Sequence, residues 1–450
     1  MNDKVSLKTM LSIISVALVS FSGVMAETAM NVTFPVLSKD FNTNLNDIQW
    51  VTTAYLLAVT VMMTTSAYLI KRYSSRSLWL YSVIVFVTGT LIGGFAPSVF
   101  FLLLGRILEG IAAGIAMPLM FNIVVATVPN SKVGTWIGLA SMVVGLAPSF
   151  GPTYGGTLVD TFGWRSIFFT LLIFPIISLF LGWKTVESID RHTLNKTFDI
   201  LAFLLLAICL TSSLLLVNQL ESGSVNWIWF VIALLTLIGF IWRSLKSTHS
   251  FLNLKLFSQV KFVTLFLIIS ISMFIMLGLN LIFPIYLQNF LNTSSFWAGF
   301  SLLPGALLGA FLTPVFGRLY DLKGAKLPAY LGNLIFLISV AIIATRSHHL
   351  TLALIIVLYI TFIVGRNMSY TSAQTAVLAD QQEDTKADVT AIVQTFQMFM
   401  GALGTTVGAL LQSEMGVANG LQYFSWASFF LSVCIFGLFA IYFFKKKLIK

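Results

Sequence analysis

The chain has 450 residues, 58% of them hydrophobic and 9% charged, with 40 phenylalanines and a formal net charge of +10. A soluble fold carries about 25% charged residues, so this composition excludes a soluble enzyme or binding module and implies an all-α integral membrane protein. The basic balance does not point to nucleic acid. Of 26 lysines and arginines, all but Lys39, Arg106, Arg165, Arg346 and Arg366 fall in loops and tails on one side of the predicted spans, which is the positive-inside bias.

Apolar runs of about 20 residues give fourteen predicted spans, at roughly 7–37, 47–70, 77–96, 98–128, 134–159, 165–185, 198–219, 226–244, 262–290, 296–317, 327–345, 350–378, 389–412 and 421–444. The even count, with Lys4 and Lys8 before the first and Lys445, Lys446 and Lys447 after the last, predicts both termini in the cytoplasm. The first run is long enough to span and leads to no small-residue cleavage site, so it is expected to stay as a helix. No inward loop has room for a nucleotide-binding domain, and no G-x-x-x-x-G-K-[ST] phosphate loop is present. The expected energy source is therefore an ion gradient or a separate subunit. Cys209 and Cys434 lie far apart in apolar spans. The histidines, His192, His249, His348 and His349, sit in loops without ligand spacing, so neither a disulfide framework nor a metal site is expected.

In chain order, the first chemical feature is Glu27, inside the first span. If that helix runs unbroken to Leu37, the carboxylate lies about 15 Å inside its outer end at 1.5 Å per residue, near the middle of a ~30 Å hydrocarbon layer. An ionisable group there is a functional hypothesis by default. Span 4 carries Arg106 and Glu109, the latter at a similar depth to Glu27. Burial raises a carboxyl pKa in general, so two acids at one level suit proton loading and release. Glu109 is either a second proton site or the partner of Arg106, three residues away on the same helical face. Arg106 keeps its charge and either tunes a neighbouring carboxylate or braces two helices.

Span 5 holds Gly145, Pro148, Gly151, Pro152, Gly155 and Gly156. The glycines are expected to let helix backbones approach, and the prolines each remove a backbone donor and bend the segment, an arrangement suited to a rocking, gating helix. Span 12 places Arg366 around 20 Å from either end at 1.5 Å per residue, beyond the reach of snorkelling. It either faces a cavity, where it binds a carboxylate on a substrate or across the cavity, or forms a structural pair within its own bundle. Asn31, Tyr55, Trp136, Asn280, Tyr286, Gln374 and Gln397 are the remaining groups expected near a central cavity. A greasy pocket with few polar groups fits broad recognition.

An internal repeat is visible in two basic turns, Ala67 to Arg76 after span 2 and Gly317 to Lys326 after span 10. It divides the chain into a six-helix set at 1–186, two inserted helices with linkers at 187–261, and a second six-helix set at 262–450. Two such bundles around a midplane cavity is a common transporter plan.

These motifs resemble the major facilitator superfamily, and within it the fourteen-span drug/proton antiporter branch. The cytoplasmic-turn signature is matched by Gly317, Leu319, Asp321, Gly324 and Lys326; in the first half Ala67 replaces its glycine and Lys71 its acid. Gly105 to Gly114 is similar to the family's R-x-x-q-G-x-g motif. Gly145 to Gly156 resembles the antiporter motif G-x-x-x-x-x-G-P-x-x-G-G. Glu27, Thr28, Asn31 and Pro35 hold the pattern in which the branch usually carries aspartate. The resemblance implies a proton-coupled multidrug efflux antiporter of a bacterial inner membrane, a monomer driven by the proton gradient without cofactor or metal. Glu27, Glu109 and Arg106 would couple protons. Glu27, Asn31, Tyr55, Trp136, Asn280, Tyr286, Arg366, Gln374 and Gln397 would bind lipophilic cationic or zwitterionic drugs. The span 5 glycines and prolines with Gly317, Asp321 and Gly324 would gate. The alternative is a narrow exporter of one antibiotic or an endogenous metabolite.

Overall fold

A backbone N–H or C=O left unpaired in hydrocarbon costs several kcal/mol, so an apolar run of membrane length has to become helix. The computed structural model describes residues 5–30, 33–43, 45–187, 198–221, 226–246, 252–293, 295–382 and 384–447, and each predicted span within them falls on one helix or on two in succession. In order the helices are α1 (Leu7–Met30), α2 (Phe34–Asp40), α3 (Leu45–Arg72), α4 (Ser75–Gly94), α5 (Val99–Thr127), α6 (Val133–Phe162), α7 (Arg165–Leu171) and α8 (Ile173–Thr185). They continue as α9 (Ile200–Glu221), α10 (Ile228–Lys246), α11 (Val260–Asn289), α12 (Ser295–Phe300), α13 (Leu303–Lys323), α14 (Lys326–Arg346), α15 (Leu352–Ala379), α16 (Lys386–Met415) and α17 (Val417–Lys447). Among the described residues eleven helices are long and apolar enough to cross a membrane, or twelve if α6, bent by 43° between Pro148 and Thr153, is one span. This is a multi-pass membrane protein.

The first helix departs from expectation. It was expected unbroken to Leu37, but α1 ends at Met30, Thr33 is not helical, and α2 starts at Phe34 with Pro35 in its first turn. Proline has no N–H to continue the ladder, and its ring clashes with the carbonyl four residues back. Glu27 therefore sits in the last turn of α1 rather than in mid-helix. Asn31 lies outside the described residues.

Packing is concentrated within each half of the sequence. In the first, α5 packs on α4, α3 and α1, and α1 also packs on α6 and α8. In the second, α11 packs on α16, α17 and α15, while α14 packs on α15 and α17. The halves meet mainly where α6 crosses α13 and α3 crosses α16. The hairpin α9–α10 closes on itself through Asp199, which caps α9 at Ala202 N (3.1 Å) and pairs with Arg243 of α10 (3.1 Å).

At the end of the first half away from Lys71, Asp40 joins three connections. It accepts from Trp164 Nε1 at 2.7 Å and from Arg165 Nη1 at 3.1 Å, and Arg165 also donates to Ala96 O. The Trp164 hydrogen bond, with Arg165 beside it, holds the Asp40 carboxyl below its ordinary range. A lowered carboxyl contributes stability that is present above the ordinary aspartate range and is lost as pH falls through its folded value. The acid limb of thermal stability below about pH 4 is expected to flatten in Asp40→Asn, read by melting the purified protein across that range.

Candidate functional site

In the first half the polar centre is built on α5. A Cβ at Gly110 would lie 2.6 Å from the Tyr55 carbonyl oxygen, and one at Gly114 would lie 2.7 Å from the Val59 carbonyl, so both glycines let α5 seat directly on α3. Gly23 does the same for α1, where a Cβ would meet Ala113 at 2.6 Å and the Tyr55 hydroxyl at 2.9 Å. The close seating brings Arg106, Glu109 and Tyr55 together, and all three are fully buried. Arg106 Nη1 donates to Glu109 Oε2 at 2.5 Å and Arg106 Nε to Val51 O at 3.2 Å. Thr90 of α4 donates to the other Glu109 oxygen at 2.9 Å, and the guanidinium lies 4.3 Å from the Tyr55 ring centre. Both oxygens of Glu109 are thus occupied, whereas Tyr55 Oη has no hydrogen-bond partner.

Glu27 differs. It is partly exposed, lies within electrostatic reach of Arg106 and Tyr55, and makes no hydrogen bond to any described residue. Its neighbour Thr28 turns back onto Val24 O (3.0 Å) and is touched by Gly151 of α6. Of the two described carboxylates within the first-half spans, Glu109 is held in an ion pair and Glu27 is hydrogen-bonded to no described residue.

The second-half residues divide as sharply. Arg366 is 5% exposed and sits over the Tyr370 ring at 4.0 Å, beside Met273 and Asn367. Tyr370 donates to Gln397 (2.8 Å), and Tyr359 donates to Asn280 (2.8 Å). Arg366, Tyr370 and Gln374 follow one another at intervals of four, and Tyr359 precedes Arg366 by seven, so all four lie along one face of α15. Gln374 itself is buried toward Phe121 and Gln394. Two expected cavity residues lie elsewhere. Tyr286 is fully buried and donates to Ser347 O (2.7 Å), a structural tie. Trp136 is in the first turn of α6, about 22 Å along that helix from Gly151 at 1.5 Å per residue, and so is remote from Glu27.

The gating residues also sort themselves. Gly151 and Gly155 are buried, but a Cβ at Gly145 or Gly156 would meet nothing within 4 Å, and Gly145 and Pro148 are exposed. The expected close approach at Gly145 and Gly156 is therefore absent. Of Pro152 only the helical backbone is described. The tight crossing lies at the other end of α6, where Gly134 meets Gly317 and Gly138 meets Thr313 and Pro314 of α13. Asp321 at the end of α13 accepts from Gly134 N (2.9 Å), Thr135 N (2.8 Å) and Thr135 Oγ1 (2.6 Å). A carboxylate is favoured at that helix N-terminus. Gly324 ends α13 with φ +74°, a conformation glycine adopts without strain.

The matching position of the first-half turn, Lys71, pairs with Asp388 in the first turn of α16. In the sequence Lys71 stands where the turn signature has its acid. The two turns thus hold the halves together with their charges exchanged, an acid in the second-half turn and a base in the first. A lysine facing a helix N-terminus is disfavoured, and Asp388 supplies the missing acid. Both latches join the two halves at the same end, and α16 is buried at every residue from Lys386 to Thr395. The structure is closed at its basic end. Gly317→Val, which drives a branched side chain into the Gly134 backbone, is expected to cost about 1–3 kcal/mol of overpacking, read as a lowered Tm of the purified protein.

Residues 16–405 match the family profile described as Major Facilitator Superfamily. The lincomycin resistance protein LmrB of Bacillus subtilis (strain 168) is 31% identical over 412 residues, which is 90% of this chain and 86% of that protein. The riboflavin transporter RibZ of Clostridioides difficile (strain 630) is 28% identical over 444 residues, 95% of each. Among solved structures, the human organic anion transporter MFSD10 superposes with a TM-score of 0.68 at 13% identity, over 96% of this chain and 99% of that one. That last likeness is one of fold alone.

Proposed function

Because the chain belongs to the Major Facilitator Superfamily and is a membrane transporter rather than an enzyme, we propose that it is a proton-coupled exporter of lipophilic cationic or zwitterionic drugs. The observation that carries this reading is the contrast between Glu27 and Glu109. A partly exposed, unbonded carboxylate inside a membrane bundle is costly unless it has an exchangeable partner. A proton and a drug cation are the two partners that chemistry supplies.

In this reading fourteen spans form two six-helix bundles with α9 and α10 inserted between them, in a bacterial inner membrane. The basic end faces the cytoplasm, which makes the state described here outward-facing. Glu27 takes a proton from outside, and its neutral form tolerates closure of the apolar cavity around it. Opening at the cytoplasmic end requires Lys71–Asp388 and the Asp321 contacts to separate. A cationic drug then displaces the proton, and reversal of the latches carries the drug outward. Arg106 and Thr90 hold Glu109 stationary beside this exchange, and Tyr55 lies within electrostatic reach of both acids.

The relatives support drug export without fixing the substrate. One is named for lincomycin resistance and another for riboflavin transport, so a narrow exporter of one antibiotic or metabolite is the second reading. Proteoliposomes containing the purified monomer test both. An imposed pH gradient is expected to drive ethidium transport that an uncoupler abolishes. Gradient-driven transport of lincomycin or riboflavin with no movement of ethidium would select the narrow reading.

A further inference from the structure

Among the described residues Arg366 has no counter-ion. Its Nη1 donates to Asn367 Oδ1 at 3.0 Å and its Nη2 to the Met273 thioether at 2.8 Å, while Nε is buried without any partner. A guanidinium has five N–H donors, and a thioether is a weak acceptor. Among the described residues the second-half spans contain no acid, since Asp321, Asp380, Asp384, Asp388 and Glu414 all lie at or beyond helix ends, and Glu383 lies outside the described residues in the connection between α15 and α16. Of the embedded acids in the first half, Glu109 is taken by Arg106. Glu27 lies about 30 Å from the basic end of α1, against about 20 Å for Arg366 in α15 at 1.5 Å per residue. An unpaired buried charge costs several kcal/mol, so this site is incomplete as it stands.

A second unpartnered donor belongs to the same cluster. Gln397 accepts from Tyr370, whose ring carries the guanidinium, but its own Nε2 is buried and unbonded. The next residue, Met398, packs against the first-half core that includes Tyr55. The cluster therefore reaches the seam between the halves, where a transported molecule must pass.

We propose that Arg366 and Gln397 form an oxyanion subsite, which takes the carboxylate of an amphipathic organic acid or zwitterion. The planar guanidinium fork matches a carboxylate with two parallel hydrogen bonds, displacing the Met273 sulfur, and the Gln397 amide supplies a further donor. Tyr359 and Tyr370 offer ring surface to the apolar body of the ligand. Glu27 and Arg366 would then hold opposite poles of a zwitterion at two depths. This deepens the exporter reading and rests on it for the direction of transport.

The test uses the full-length purified protein and three probe pairs: norfloxacin, 1-naphthoate and 4-biphenylcarboxylate, each against its own carboxamide, with ethidium as a carboxylate-free reference. Wild type is expected to bind each acid at least about tenfold more tightly than its amide, as a charge-assisted bidentate contact implies. Arg366→Gln should abolish that preference, bringing each acid to the affinity of its amide. Met273→Glu, which places a carboxylate where the thioether lies and so fills the subsite internally, should abolish it too without leaving a buried charge unpaired. Absence of the preference in wild type, its survival in Met273→Glu, or an equal loss for acids, amides and ethidium in Arg366→Gln would each overturn the subsite. Ethidium exchange by the wild type, measured separately, decides the exporter reading independently of these outcomes.

Discussion

Glu27→Gln is expected to uncouple the transporter while leaving it folded, and Glu109→Gln to do the reverse. The amide at position 27 is isosteric with a protonated carboxyl, and no described hydrogen bond is lost with the charge. Neutralising a charge inside the bundle removes its cost, so the variant is expected to melt no earlier than the wild type. What disappears is the exchangeable proton, so an imposed pH gradient should no longer drive drug across proteoliposomes, and resistance in a pump-deficient host should fall to the level of the empty vector. Glu109 has both oxygens bonded and is fully buried with Arg106. Removing its charge leaves the guanidinium unpaired, which costs about 3–5 kcal/mol. That variant should melt earlier and express poorly. Two glutamates and one substitution thus separate coupling from stability, and gradient-driven export retained by Glu27→Gln would remove the role assigned to that residue.

The second large effect is expected at the exchanged latch. Asp388 is 3% exposed and Lys71 17% exposed at their side chains, so their ion pair is poorly screened by water. Asp388→Asn leaves the ammonium facing the N-terminus of α16 without its acid, where the helix dipole also opposes it. The state closed at the basic end should lose about 3 kcal/mol, more than a hundredfold in its population relative to the open one. A cysteine at Val393, buried beside Phe121 and Gln374, reports this directly once Cys209 and Cys434 are replaced by serine. Its labelling by a membrane-impermeant maleimide in inside-out vesicles should rise steeply in Asp388→Asn. It should fall back in the uncharged pair Lys71→Met with Asp388→Asn, since the coupling energy resides in the two charges together. Unchanged labelling in the single variant would show that the latch does not hold this end shut.

The spans were legible because a hydrocarbon layer leaves the backbone no alternative to helix, and length and apolarity then mark them. The single charges in those spans were equally plain, and Glu27, Arg106, Glu109 and Arg366 all stand out against apolar neighbours. Less visible was which charge partners which. Helical spacing alone allowed Arg106 to pair with Glu109, but the Thr90 contact that completes the lock comes from another helix. The Lys71–Asp388 pair joins residues more than three hundred positions apart, and nothing local in either turn announces it. The glycine-rich run of α6 misled in part. Small residues permit close approach without requiring it, and Gly145 and Gly156 face no neighbour within 4 Å of a Cβ. Gly134 and Gly138, unremarkable in the sequence, make the crossing instead. The stripe of Tyr359, Arg366, Tyr370 and Gln374 was open to discovery by periodicity, since four polar residues on one face of an apolar helix need an occupant or a partner.

Proton release on drug binding tests the exchange at Glu27 most directly. Ethidium added to the purified protein in weakly buffered solution near neutral pH should liberate up to about one proton per bound drug, and Glu27→Gln should bind the dye with no release. Equal release from wild type and Glu27→Gln, or binding by the wild type without any proton appearing in solution, would place the coupling elsewhere.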